Sequence, residues 1–184
     1  SIRPMPDMAG DDDLSEVAFD NVHVPARNLV GEEHGALEEV VDTSAFEQSG
    51  VEVLAAGKRN LERLIDAVRD ETSLVAQSPG ARYELADRWT ELQVGYQVAY
   101  RVPLLQQEGR RPDYEASVSK LYGAELTQRI AATGMRLLGP ASQLAPGSRH
   151  AKLGGAFSRL YLQTTAATIA QGTSEVQRNV IAQR

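Results

Sequence analysis

The sequence predicts a mainly α-helical chain: an antiparallel four-helix bundle preceded by a short β segment. Three observations carry that expectation. After residue 35, apolar residues recur at intervals of three and four, the spacing that lines one face of a helix. Stretches bearing Pro and Gly at 78–80, 109–112, 139–140 and 146–148 divide this pattern, and such residues punctuate helices. Around Val17, Phe19, Val22 and Val24 the pattern instead alternates, as strands do.

Residues 1–13 are polar and Pro-rich, end in Asp11-Asp12-Asp13, and read as a loop or frayed end. In Leu14–Pro25 the alternation slips phase at Asp20-Asn21, which suggests two short strands or one bulged strand. The first helix carries a single stripe of Leu54, Gly57, Leu61, Leu64 and Val68, with Gly57 admitting a close neighbour. A second helix carries Leu85, Trp89, Leu92, Tyr96 and Ala99 and is expected to falter near Pro103 or Gly109. Pro112-Asp113 opens a third with Tyr114, Val118, Leu121, Ile130 and Leu138, closed by Gly139-Pro140. A fourth follows Pro146-Gly147-Ser148 and holds Leu153, Phe157 and Leu160. Thr173 or Ser174 then suits the N-cap of a short last helix with Val176, Val180 and Ile181.

A lone strand leaves backbone donors and acceptors unpaired, so the β segment reads as the exit of another domain. The chain is thus expected to be one part of something longer, or of an assembly.

The 184 residues are 42% hydrophobic and 24% charged, a globular composition that excludes wholesale disorder. There is no Cys, hence no disulfide, thiolate metal site or thiol nucleophile. No apolar run reaches the roughly 20 residues that cross a bilayer. The start has neither an apolar stretch nor a Met, so no signal peptide is expected and the location expected is cytoplasmic. Residues 1–50 hold 12 of the 25 acids and only Arg3 and Arg27 of the 19 bases. The remainder is weakly basic without a Lys/Arg run, which argues against nucleic-acid binding.

No Ser-His-acid arrangement is readable, and His23, His34 and His150 are scattered. No metal-ligand spacing appears. Two features stand out. Gln171-Gly172-Thr173-Ser174 places small and hydroxyl residues at a helix start, suited either to capping or to a phosphate. Phe46-Glu47 places a carboxylate beside apolar residues, where burial would raise its pKa and tune it as a base. An exposed helical glutamate is the plainer reading, and Glu38, Glu39 and Glu52 qualify equally.

Three segments, in order, resemble the acyl-CoA dehydrogenase family. Glu16–Glu33 resembles the last strands of its middle β-domain and the turn that follows. Ala116-Ser117-Val118-Ser119-Lys120-Leu121-Tyr122-Gly123-Ala124-Glu125-Leu126 resembles its third C-terminal helix, and Ile169–Ala182, with Gln171-Gly172-Thr173-Ser174-Glu175, its closing motif. The resemblance implies residues 1–35 as the end of the β-domain with its linker, and 36–184 as the C-terminal helical bundle. It covers only the latter half of a family subunit.

What the resemblance implies is flavin-dependent introduction of an α,β double bond into an acyl-CoA thioester. A glutamate takes the α-proton, and FAD takes the β-hydrogen as hydride. In one family arrangement the base precedes the Gly-Thr-Ser, where this chain has Gln171, an amide that cannot accept the proton. In the other the base lies on the first C-terminal helix. Counting back from Gly57 gives Glu47; counting forward from Gly35 gives Phe46, so a one-residue insertion selects Glu47.

Cofactor contacts are expected from Gly139, Gly172, Thr173, Ser174 and Glu175. The family's Arg-x-Phe-Gly segment between the first two helices is missing from Arg69–Gly80, and only Gly139 remains of a glycine-rich turn. Those losses resemble one partner of the heteromeric α2β2 dehydrogenases of actinobacterial steroid side-chain degradation. A homo- or hetero-tetramer is therefore expected, with no nucleic-acid or membrane partner. The alternative is a non-catalytic, flavin-poor partner subunit with a role in assembly.

Overall fold

In a computed structural model, the described residues are 1–12, 14–35, 49–70, 74–112 and 114–184. Strands β1 (Ile2–Met5) and β2 (Leu14–Val17) pair antiparallel, with Ile2 opposite Val17 and Arg3 opposite Glu16. The stretch expected to be a loop or frayed end therefore supplies the strand that β2 needed as a partner. The turn between them is built by Asp7, whose carboxylate accepts from the backbone N–H of Ala9 at 2.7 Å and of Asp11 at 2.9 Å. That is how a short acidic side chain imitates backbone in a turn. Phe19, Val22 and Val24, expected to extend the strand, lie beyond it in irregular, exposed chain.

Six helices follow among the described residues: α1 (Val51–Val68), α2 (Leu74–Gln77), α3 (Pro79–Gln107), α4 (Tyr114–Leu138), α5 (Ala156–Ala167) and α6 (Ser174–Ala182). The long helices α1, α3, α4 and α5 form the expected bundle. The apolar stripe of α1 is buried as its spacing requires: Leu54, Gly57, Leu61, Leu64 and Val68. A Cβ on Gly57 would meet Ile130 Cδ1 at 3.4 Å and Leu92 Cδ2 at 3.7 Å, so the core packs directly onto that glycine.

Ser78 caps α3, accepting from Ala81 N–H at 3.4 Å, with Pro79 in the first turn, where a missing N–H costs nothing. The helix does not falter at Pro103. It runs through to Gln107, because Val102 and Leu105 are buried on either side and hold it against the core.

Helix α4 is the centre of the molecule and packs against α1, α3, α5 and α6. Its expected stripe is therefore only partly the core. Tyr114 is exposed and Val118 and Leu121 are half-buried, whereas Ala116, Ser119, Gly123, Ala124, Thr127, Ala131 and Gly134 are buried. Small residues on several sides let four neighbours approach at once. Leu153, expected within the fourth helix, sits before α5 in a tight 3-10 turn with a left-handed backbone (φ 51°).

Leu61, Leu64, Leu92, Leu126, Ile130 and Phe157 are almost wholly removed from water. Each such side chain contributes roughly 1.5–3 kcal/mol of transfer free energy. The hairpin is tied to this core through Asp11, which accepts from Arg159 Nε at 2.7 Å and Gln163 Nε2 at 2.9 Å on α5.

Candidate functional site

A cavity of about 240 Å³ opens where three elements meet. The N-terminal end of α1 contributes Gly50, Glu52 and Val53, α4 contributes Ser119, Lys120, Gly123 and Ala124, and the turn after α5 contributes Ala170 and Gln171. Its walls follow from local sequence. Gly50 has a left-handed backbone (φ 75°) at the N-cap of α1, and a Cβ there would lie 2.7 Å from Ser119 Oγ. The Ser119 hydroxyl instead donates to Ser49 O at 2.6 Å, joining the start of α1 to α4.

The opposite wall is a left-handed turn, Gln171 (φ 55°) followed by Gly172 (φ 87°). Lys120 Nζ donates to Gly172 O at 2.6 Å. Gln177, buried on α6, sends its Nε2 to Gln171 O at 3.1 Å and Gly172 O at 3.5 Å. Burial holds the Lys120 ammonium below the ordinary lysine range, and the Glu175 carboxylate partly offsets it.

Beyond this turn Thr173 caps α6, its Oγ1 accepting from Val176 N–H at 3.2 Å. Glu175 is held below the usual carboxylate range by its own backbone N–H first and the Thr173 hydroxyl second. A second recess, about 320 Å³, is lined by Gln128, Thr168, Thr173, Ser174, Glu175 and Arg178, among others. Ser174 is buried there, and its Oγ has no hydrogen-bond partner among the described residues. A buried hydroxyl left unpaired is costly, so the recess suits a ligand rich in hydroxyl or phosphate oxygens.

The expected residues divide accordingly. Gly172, Thr173, Ser174 and Glu175 come together at one turn. Gly139 lies in the turn that ends α4, about 24 Å along the helix from Gly123 at 1.5 Å per residue. Its carbonyl is taken by the Ser142 N–H and hydroxyl at 2.9 Å and 2.7 Å. Glu47, Glu38 and Glu39 lie outside the described residues, whereas Glu52 lines the cavity. Lys120 lies within the helix motif Ala116–Leu126. Its partner is 52 residues away in the chain, and spacing carries no signal for such a bond. No group of side chains able to hold a metal ion occurs among the described residues. None of the helices described is long and apolar enough to cross a membrane.

The profile of the family described as acyl-CoA dehydrogenase, C-terminal domain, matches residues 48–184. Acyl-CoA dehydrogenase IpdE1 of Mycolicibacterium smegmatis is 29% identical over 191 residues, spanning 100% of this chain and 44% of that protein. The Mycobacterium tuberculosis protein of the same name is 29% identical over 190 residues, with 100% of this chain and 46% of that protein covered. Among solved structures, a variant of the Tcur3481-Tcur3483 steroid ACAD superposes with a TM-score of 0.85 at 25% identity, covering 99% of this chain and 47% of that one. The ChsE4-ChsE5 complex from Mycobacterium tuberculosis gives 0.79 at 25% identity, with the same coverage. The chain thus spans about half the length of the relatives it matches.

Proposed function

Since this chain belongs to the acyl-CoA dehydrogenase family, through that family's C-terminal domain, we propose that it is the helical half of a flavin-dependent dehydrogenase subunit acting on an acyl-CoA thioester. Residues 1–35 are then the end of the β-domain with its linker, and 36–184 the bundle. The observation that carries this reading is the pairing of the two recesses across one turn. The cavity beside Lys120 and Gln171 has room for an acyl group, and the Thr173–Glu175 recess holds an unpartnered serine hydroxyl.

The family implies FAD, and the residues present fit it. Ser174 Oγ supplies an unused hydroxyl, and Thr173 and Glu175 stand beside it in the same recess. When bound, FAD supplies the acceptor for the hydride that leaves the β-carbon. The chain's own residues do the rest. The cavity holds the acyl group, and a carboxylate takes the α-proton as the α,β double bond forms. Gln171 cannot be that carboxylate, since an amide does not accept the proton. We assign the role to Glu47, in the segment leading into α1.

The protein's partner in this reading is a second, different subunit, in a cytoplasmic heterotetramer. The sequence supports it by lacking the Arg-x-Phe-Gly segment between the first two helices. The likeness to a two-component steroid dehydrogenase and to the ChsE4-ChsE5 complex supports it as well. The acyl group is then the side chain of a steroid.

Gln171 at the cavity favours one other reading, a subunit that packs and completes a partner's site without a base of its own. Turnover by the full-length protein with its partner separates the two. Glu47→Gln lowers it by roughly 10²-fold to 10⁴-fold if Glu47 is the base, and leaves it unchanged if this subunit carries none.

A further inference from the structure

We propose that Lys120 is a positioning residue, whose ammonium, together with the Gln177 amide, locks the Gln171–Gly172 turn that forms one wall of the cavity. This rests on the reading of the cavity as the acyl-binding site only where ligand affinity is concerned; the lock itself stands on geometry.

Two successive residues in the left-handed region rotate their carbonyls out of the pattern that helix N–H groups satisfy. Gln171 bears a side chain (φ 55°), so its backbone is strained in a way that persists only when surroundings over-determine it. Here two side chains supply that determination. Lys120 reaches from the middle of α4 to Gly172 O at 2.6 Å, and Gln177 reaches back from α6 to Gln171 O at 3.1 Å. A Cβ on residue 172 would sit 2.7 Å from Gln177 Nε2, so the glycine is what admits the second donor.

The ammonium is placed at a cost, because burial disfavours its charge. A lysine serving only solubility would point outward. This one is half-buried, lines the cavity, and spends a charge-assisted bond on a neutral carbonyl next to Gln171. The same turn feeds α6: Ser174 N–H donates to Thr168 O at 3.0 Å and Val176 N–H to Thr173 Oγ1 at 3.2 Å. Those two amides report on whether the turn is held.

The test uses the full-length protein with its flavin and any partner subunit, and compares wild type, Lys120→Met, and Lys120→Cys before and after alkylation with 2-bromoethylamine, which restores an ammonium. Hydrogen exchange is read at Ser174 and Val176, with Leu126–Ala131 in the core as internal control. In Lys120→Met the turn amides should exchange about tenfold faster with the core unchanged. Affinity for a non-reacting acyl-CoA analogue should fall about tenfold, and alkylation of the cysteine variant should restore both. Wild-type exchange at the turn, acceleration that spreads through the core, or no rescue by alkylation overturns the proposal. If the turn loosens as expected but the wild type binds no acyl-CoA analogue, the lock stands and the acyl-binding reading falls.

Discussion

The ring of Phe157 occupies the position where Gly134 lacks a side chain: a Cβ on residue 134 would collide with Phe157 Cδ1 and Cε1. This contact lets α5 approach α4, and with it sets the start of the turn that carries Gln171. Gly134→Ala should therefore force α5 away from α4. Overpacking of this kind costs about 1–3 kcal/mol. Urea denaturation of the variant should show a lowered midpoint, and a midpoint equal to wild type would mean the ring moves aside freely.

Thr173→Ala removes the N-cap of α6. Losing such a cap costs about 1 kcal/mol, and the effect should be local. The expected result is faster hydrogen exchange from Ser174 to Val180, with α1 and α3 unaffected.

Glu175 carries a pH dependence of definite sign. Its folded carboxyl is held below the usual carboxylate range by its own backbone N–H and the Thr173 hydroxyl, so its contribution to stability is present above the ordinary glutamate range and is lost as pH falls through the lower, folded value. Stability measured against Glu175→Gln should show a difference that shrinks as pH falls below the ordinary glutamate pKa of about 4.3. A difference constant through the acid range would contradict the hydrogen bonds assigned to Thr173 and the backbone.

Asp11→Ala cuts both bonds from the hairpin to α5. Arg159 is half exposed, so solvent screens the pair and the cost is small, about 1 kcal/mol or less. The visible effect should be mobility: limited proteolysis should cleave between β1 and β2 before any cut in the bundle, and much faster than in wild type.

How far these relationships were legible in the sequence depended on how many neighbours an element has. Helix α1 buries one face, so its spacing of Leu54, Gly57, Leu61, Leu64 and Val68 is its core list. Helix α4 is surrounded, so its burial falls on Ala116, Ser119, Gly123 and Thr127, and a search for large apolar residues at helical intervals picks out Tyr114 and Val118 instead. Strand β1 was hidden because Ile2-Arg3-Pro4-Met5 does not alternate and all four residues are exposed; only its pairing with β2 makes it a strand. The Thr173 cap was legible because a cap is local. The Lys120–Gly172 and Asp11–Arg159 bonds were not, since each joins residues far apart in the chain.

The central claim is that the cavity between α1, α4 and the Gln171 turn receives the acyl group. Gly123 lines it, and a Cβ there meets nothing closer than Val53 Cγ1 at 3.7 Å, so Gly123→Leu should fill the space without disturbing the core. The measurement is the bleaching of visible flavin absorbance when an acyl-CoA is added without oxygen to the full-length protein with its partner. Wild type should bleach and Gly123→Leu should not, at equal flavin content and thermal stability. Equal bleaching by both would place the acyl group elsewhere and contradict the account.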